Sequence, residues 1–192
     1  MRPREITPDD ILAFWFEEAG PKRWYAVSQD FDNAIRRRFA ARIEGAAQCV
    51  RCGKHPWADT PEGAFALIIL FDQLTRNAWR GSNKAFAFDP LALDLARDMI
   101  DRGFDWAIPD ERRAFVYMPF MHSESLADQD RCIELAEERL SDKSTLDHAI
   151  KHRDVIRQFG RFPYRNEALG RESTPEEIAY LESGGYAPGR KR

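Results

Sequence analysis

Several stretches of this chain combine residue types that could do chemistry. The segment DQLTRNAWRG, Asp72 to Gly81, closes an apolar run. At helical spacing Asp72 and Arg76 can pair along one face, while Gln73, Asn77 and Arg80 share the adjacent stripe. Polar groups this close to a buried segment need partners. Either they satisfy one another at the helix end, or Arg76, Asn77 and Arg80 build an anion pocket. AFVYMPFMHSES, ending at Ser125, turns polar at His122, Ser123 and Glu124, and a second Asp-Gln pair follows at Asp128 and Gln129. A histidine and a carboxylate two residues apart suit proton transfer or metal binding, or simple hydrogen-bonded structure. The helix should kink or stop just before Pro119, which has no amide hydrogen to donate.

His148 and His152 stand four apart in DHAIKHRD, a spacing that lets two imidazoles share a metal. The glutamate of HExxH is missing and no third ligand lies nearby, so no metal is assigned. CVRCGKH, Cys49 to His55, supplies two thiols and a histidine, but a closed zinc site needs four ligands and the remaining cysteine, Cys132, is distant. A redox CxxC opens a helix after a strand, whereas this one closes a helix, so two ordinary thiols are expected. GxSxG and Gly-rich phosphate loops are absent, and no cofactor is assigned.

The densest cluster is RQFGRFPYRN, residues 157–166. Arg157, Arg161, Arg165 and Arg171 fall close together, with Asn166 and Tyr164 among them. Arginine forks match carboxylates and phosphates. Phe159, Phe162 and Tyr164 should anchor the 160–173 loop on the body, where its arginines could meet Asp72, Glu124 or Asp128. The sharper version leaves one or two arginines over for an anionic ligand.

Helices must position all of this. Thr7-Pro8-Asp9, Thr60-Pro61-Glu62 and Thr174-Pro175-Glu176 each read as a helix start: threonine caps, proline needs no partner, and the acid meets the positive helix end. Thr7 with Asp10 and Thr174 with Glu177 have capping-box spacing. Asp89-Pro90 reads as a fourth start. About eight helices are expected, near 8–18, 29–48, 61–79, 90–102, 110–121, 125–141, 145–159 and 175–183, with Gly103 ending the fourth. Alternating strand patterns are missing, so the class is all-α with antiparallel neighbours. Residues 1–183 read as one helical domain and 184–192, which ends GRKR, as a mobile basic tail.

Composition narrows the class further. The 192 residues are 43% hydrophobic and 12% aromatic, enough for a packed core. Twenty-nine basic residues nearly balance 32 acidic ones, so no broad field draws the chain to nucleic acid or an anionic membrane. The longest apolar run, Ala64 to Phe71, is too short to span a bilayer. With no signal-like N-terminus and three cysteines, a cytoplasmic location is expected.

DQLTRNAWRGSNKAFAFDPLAL (72–93), YMPFMHSESLADQDR (117–131) and HRDVIRQFGRFPYRNEALGRESTPEE (152–177) together resemble a bacterial family of unknown function, DUF924; FWFEEAGPKRWY (14–25) and WADTPEGA (57–64) fit as well. The resemblance covers almost the whole chain. It implies an α/α superhelix of antiparallel helix pairs similar to tetratricopeptide repeats, and no catalytic roles. Its characteristic positions coincide with those above: Asp72, Gln73, Arg76, Asn77, Arg80, His122, Glu124, Asp128, His152, Arg161, Arg165 and Asn166. Tyr164 stands where the family pattern usually has His, and Thr75 where it often has Pro.

The expected function is a non-enzymatic helical-repeat module that binds a peptide or protein in a groove. The alternative is an enzyme or sensor for a small phosphate- or carboxylate-bearing molecule, with Arg76, Arg80, Arg161 and Arg165 holding the anion, His122 or His152 moving protons and Glu124 orienting one of them. Nucleic acid is the weakest partner, resting only on residues 157–171 and the GRKR tail.

Overall fold

The structure is a computed structural model that describes residues 6–24, 26–53 and 55–188. It is all-helical, with no strand among the described residues. The helices are α1 (Pro8–Ala13), α2 (Pro21–Trp24), α3 (Gln29–Arg51), α4 (Pro61–Ile68), α5 (Thr75–Ala78), α6 (Asp89–Asp101), α7 (Asp110–His122), α8 (Leu126–Arg139), α9 (Ser144–Phe159), α10 (Asn166–Leu169) and α11 (Pro175–Glu182). Short 3-10 turns link several of them. Among the described residues, no helix is long and apolar enough to cross a membrane.

All three threonine starts cap as expected. The hydroxyls of Thr7, Thr60 and Thr174 accept from the amides of Asp10, Gly63 and Glu177, and the first and last form complete capping boxes. Asp89 differs. It is the first residue of α6 rather than its cap, and its carboxylate faces two arginines instead. Gly103 takes the left-handed conformation at φ 69°, which glycine adopts without strain, and ends α6 as the sequence suggests.

Two helices carry a π-helical turn, at Phe14–Ala19 after α1 and at Ile69–Leu74 between α4 and α5. Such turns insert an extra residue per turn and occur often at functional sites. The second holds Asp72 and Gln73, and every residue from Ala64 to Leu74 is buried. Thr75 closes it, its hydroxyl donating to the Phe71 carbonyl at 2.7 Å.

The helix does not stop at Pro119: α7 runs through it to His122. The Gln129 side-chain amide donates to the carbonyls of Phe120, Met121 and Ser123, so α8 satisfies the end of α7. Helices α6 to α9 each pack on the next, and α4 packs against α6. One large apolar core runs from Ile11 to Ala149, with Trp15, Phe39, Phe65 and Tyr117 fully enclosed. A smaller cluster of Val155, Ile156 and Phe162, with Tyr164, Tyr180 and Tyr186 against it, seats the 160–173 loop on α9.

Candidate functional site

The polar residues singled out in the sequence separate into distinct groups. The first gathers Asp72, Gln73, Arg76, His122, His152, Tyr164 and Arg165 around one buried spot. Asp72 is completely buried. Its Oδ1 meets Nδ1 of His122 at 2.6 Å and an Arg76 Nη2 at 3.4 Å, and its Oδ2 accepts from Gln73 Nε2 at 2.5 Å. Arg76 also donates to Asp89 Oδ2 at 3.0 Å and to the Ala85 carbonyl at 3.0 Å. His122, at the end of α7, faces His152 of α9, the ring centroids 6.2 Å apart with no hydrogen bond between them.

Arg165 completes this group. It lies in the 3-10 turn Pro163–Arg165, is only 4% exposed, and stacks its guanidinium on Phe162 at 4.4 Å, Phe86 at 4.8 Å and Tyr164 at 5.7 Å. Arg76 sits over the same Phe86 ring at 4.9 Å. Among the described residues the Arg165 side chain makes no hydrogen bond. Its ionic contact is to Asp89 Oδ2 at 3.5 Å, and its Nε is buried without a partner.

His152 is equally enclosed, 3% exposed. Its Nδ1 lies 2.8 Å from the His148 carbonyl. A carbonyl only accepts, so the proton sits on Nδ1 and Nε2 carries a lone pair. That Nε2 is buried and has no partner among the described residues. Phe162 and Tyr186 pack edge-on to the ring at 5.5 and 5.0 Å.

Electrostatics follow from this enclosure. Burial alone would push the Asp72 carboxyl up, but His122, Arg76 and Gln73 outweigh it and hold the group below its ordinary value. Burial pushes His152 down, His122 and Arg165 push the same way, and the imidazole ends at about 3. The sign for stability is definite. The unfolded chain takes up a proton at His152 below its ordinary 6.5 while the folded chain does not until about 3. Stability from this group is therefore complete above pH 6.5 and declines as pH falls, by up to ~1.4 kcal/mol per pH unit. Urea titrations of the wild type between pH 6.5 and 4.5 should show this slope. His152→Phe should reduce it, leaving the share of His55, which burial and Arg42 also hold below its ordinary value, and an unchanged slope in that variant would place the titration elsewhere. The window ends at 4.5, the ordinary value of Glu177, because carboxylates held low, such as Glu177 at about 2, add their own losses below it.

The other candidates lie outside this group. Asn77 and Arg80 turn to a buried Asp32 on α3: Asn77 Nδ2 donates at 2.9 Å, and Arg80 donates through Nε at 2.7 Å and Nη2 at 3.1 Å. Arg76 does not join them, so the three-residue anion pocket is not assembled. Asp128 accepts from Arg97 at 2.6 Å and from Ser123 at 2.7 Å. Glu124 orients no histidine; it takes both forks of Arg171, at 2.7 and 3.0 Å, and the Phe162 amide at 2.8 Å. Asp72 is the carboxylate that holds His122. Arg161 pairs with Glu177 at 2.6 and 2.8 Å, and Asn166 Nδ2 donates to Glu177 and Ser173. The loop is thus clamped as expected, through Arg171 to Glu124 and Arg161 to Glu177 rather than to Asp72 or Asp128, and Arg165 reaches Asp89 only at 3.5 Å without a hydrogen bond.

Tyr186 is a further participant. Its hydroxyl meets Nδ1 of His148 at 2.8 Å, and its amide donates to the Tyr180 hydroxyl at 2.8 Å. The expected mobile tail therefore begins pinned across His148 and His152; residues 189–192 lie outside the described residues. Cys49 and Cys52 are exposed free thiols, and His55 accepts the Trp57 amide through Nδ1. Among the described residues, no three His, Cys, Asp or Glu side chains come together as metal ligands. A recess lined by Arg23, Ala26, Ser28, Asp30, Phe31 and Ala34 shares no residue with the Asp72 group.

Sequence reasoning missed Asp89, Asp32 and Tyr186. Asp89 precedes a proline and so resembles a helix cap. Asp32 and the Tyr186 hydroxyl carry no local signal, because Asn77, Arg80 and His148, which they meet, lie 38 or more residues away.

Comparison with known proteins places this architecture. A solved structure of a protein of unknown function, ATU0120 from Agrobacterium tumefaciens, superposes with a TM-score of 0.84 at 41% identity, covering 92% of this chain and 97% of that one. No curated protein matches. The DUF924 profile, for bacterial proteins of unknown function, spans residues 11–185, and on that match, nearly the length of the chain, the protein belongs to the DUF924 family.

Proposed function

We propose that this chain is an enzyme for a small anionic molecule, phosphate- or carboxylate-bearing, held by Arg165 and acted on by His122. Arg165 carries the reading. Buried charges are ordinarily paired and hydrogen-bonded, because removing an unpaired ion from water is costly. This guanidinium is flanked by aromatic rings, makes no hydrogen bond among the described residues, and has one carboxylate contact, at 3.5 Å to an Asp89 oxygen that Arg76 already engages at 3.0 Å. A planar fork in such surroundings suits a two-oxygen anion. Arg76, Arg80 and Arg161 have carboxylate partners of their own and serve to position the elements.

The chemistry is supplied by the Asp72–His122 pair. A carboxylate at Nδ1 accepts a hydrogen bond from that nitrogen and fixes the ring, so that Nε2 of the imidazole is left as the proton acceptor. His122 keeps 17% of its side-chain surface open, whereas Asp72 keeps none. This is the arrangement of an oriented general base. The pairing of a buried orienting carboxylate with a partly open imidazole supports proton transfer over a purely internal lock.

A peptide- or protein-binding module is the reading that helical stacking favours by analogy. Its support would be a contiguous exposed apolar face. Among the described residues the large apolar side chains that stand exposed are Val27, Trp106, Leu126 and Ile178, each on a different segment, which gives it less weight.

Native mass spectrometry tests the proposal on untagged protein, before and after dialysis against inorganic phosphate or small carboxylates. An anion adduct is expected. Protein that stays bare through every exchange would sink the reading.

A further inference from the structure

The Arg165 site contains a second unsatisfied group of opposite character. Nδ1 of His152 is committed to the His148 carbonyl at 2.8 Å, so Nε2 is an acceptor that no side chain among the described residues reaches. His152 and Arg165 stand against the same Phe162 ring, at 5.5 and 4.4 Å. Asp89 Oδ1 is another buried acceptor without a partner, on the carboxylate that Arg165 contacts. The spot thus offers a cationic fork together with two unfilled acceptors. A bare carboxylate or a fully ionised phosphate ester satisfies the fork and has nothing to donate to the acceptors.

We infer that the molecule held at Arg165 carries a hydroxyl or N–H donor close to its anionic group, and that this donor is received by Nε2 of His152. The substrate class is then a hydroxy acid, a hydroxyl-bearing phosphate ester or a similar donor-bearing anion. The inference rests on the anion site proposed above and adds the second recognition element. Burial keeps His152 neutral through the ordinary pH range, so the acceptor is permanent. Tyr186 and Phe162 pack on the imidazole and reduce competition from solvent. His152 acts here as a positioning residue, setting the donor beside His122.

Calorimetric titration of the wild-type chain with matched pairs tests this: lactate against propionate, malate against succinate, and glycerol 3-phosphate against propyl phosphate. In at least one pair the hydroxylated member should bind at least about tenfold more tightly, as expected where a buried acceptor would otherwise stay unpaired. His152→Phe should bring that ratio near one while the anion still binds. Equal binding of both members in every responsive pair would overturn the inference and leave the anion site standing. Binding of no member of any pair would overturn both. A second readout needs no variant: on adding the hydroxylated probe, the His152 Nε2 nitrogen resonance of labelled wild-type protein should shift. A bound hydroxylated probe that leaves this resonance unmoved would equally refute the assignment.

Discussion

Replacing Arg165 with methionine should leave the melting temperature at or above the wild-type value while weakening anion binding by about 30-fold or more. Desolvating a guanidinium costs several kcal/mol even after relaxation, and apolar replacement of buried ions is often neutral or stabilising. Arg165 has only a 3.5 Å contact with Asp89, which keeps Arg76 at 3.0 Å when Arg165 is gone. Three aromatic rings return part of the desolvation cost, roughly 0.5–2 kcal/mol each. Methionine preserves much of that packing through sulfur–aromatic contact. Binding has no such substitute. Removing the charged partner of a buried anion typically costs about 2–5 kcal/mol, some 30-fold or more in affinity. Calorimetry with inorganic phosphate or the best carboxylate, beside a thermal melt, reads both quantities on one sample. A drop of more than about 8 °C, roughly 2–4 kcal/mol for a chain this size, would make Arg165 a structural clamp.

The contrast between clamp and site also explains what the sequence could convey. Thr7, Thr60 and Thr174 were legible as caps because a cap acts over three residues, and the same threonine both marks and makes the helix start. Helix limits such as Asp110–His122 and Ser144–Phe159 were close for the same reason, since apolar periodicity is local. The π turn at Ile69–Leu74 was not legible, because one extra residue in a turn leaves no mark on composition. It matters, since Asp72 and Gln73 lie within it. Pairings of the arginines were hidden more deeply. Arg161, Arg165 and Arg171 look alike in sequence, yet their partners Glu177, Asp89 and Glu124 come from different elements up to 76 residues away. Only assembly of α6, the turn between α7 and α8, α11 and the 160–173 loop decides which arginine is left without a hydrogen bond. The residue types of the site were thus visible beforehand, while its division into locks and one unused arginine was a tertiary outcome.

Asp72 and Asp32 allow that division to be tested directly, because both are buried carboxylates with comparable networks. Asp32 is 4% exposed and holds Asn77 and Arg80; Asp72 is fully buried and holds His122, Arg76 and Gln73. Alanine at either position strands buried polar partners, and each variant should lose roughly 3–5 kcal/mol, about 6–20 °C in melting temperature. Stability alone therefore cannot tell them apart. Asp72→Asn can. It keeps the volume and a hydrogen-bonding oxygen, so it costs less stability, but it removes the charge that orients His122 and stabilises its protonated form. On a substrate identified by the binding experiments, Asp72→Asn should lower kcat by about 100-fold or more with little change in KM, because general-base assistance is worth about that much. The Asp32→Asn protein, assayed below its own melting transition, should keep near wild-type kcat. Equal losses in the two asparagine variants would mean that Asp72 is another lock, and that His122 is held in place without being used.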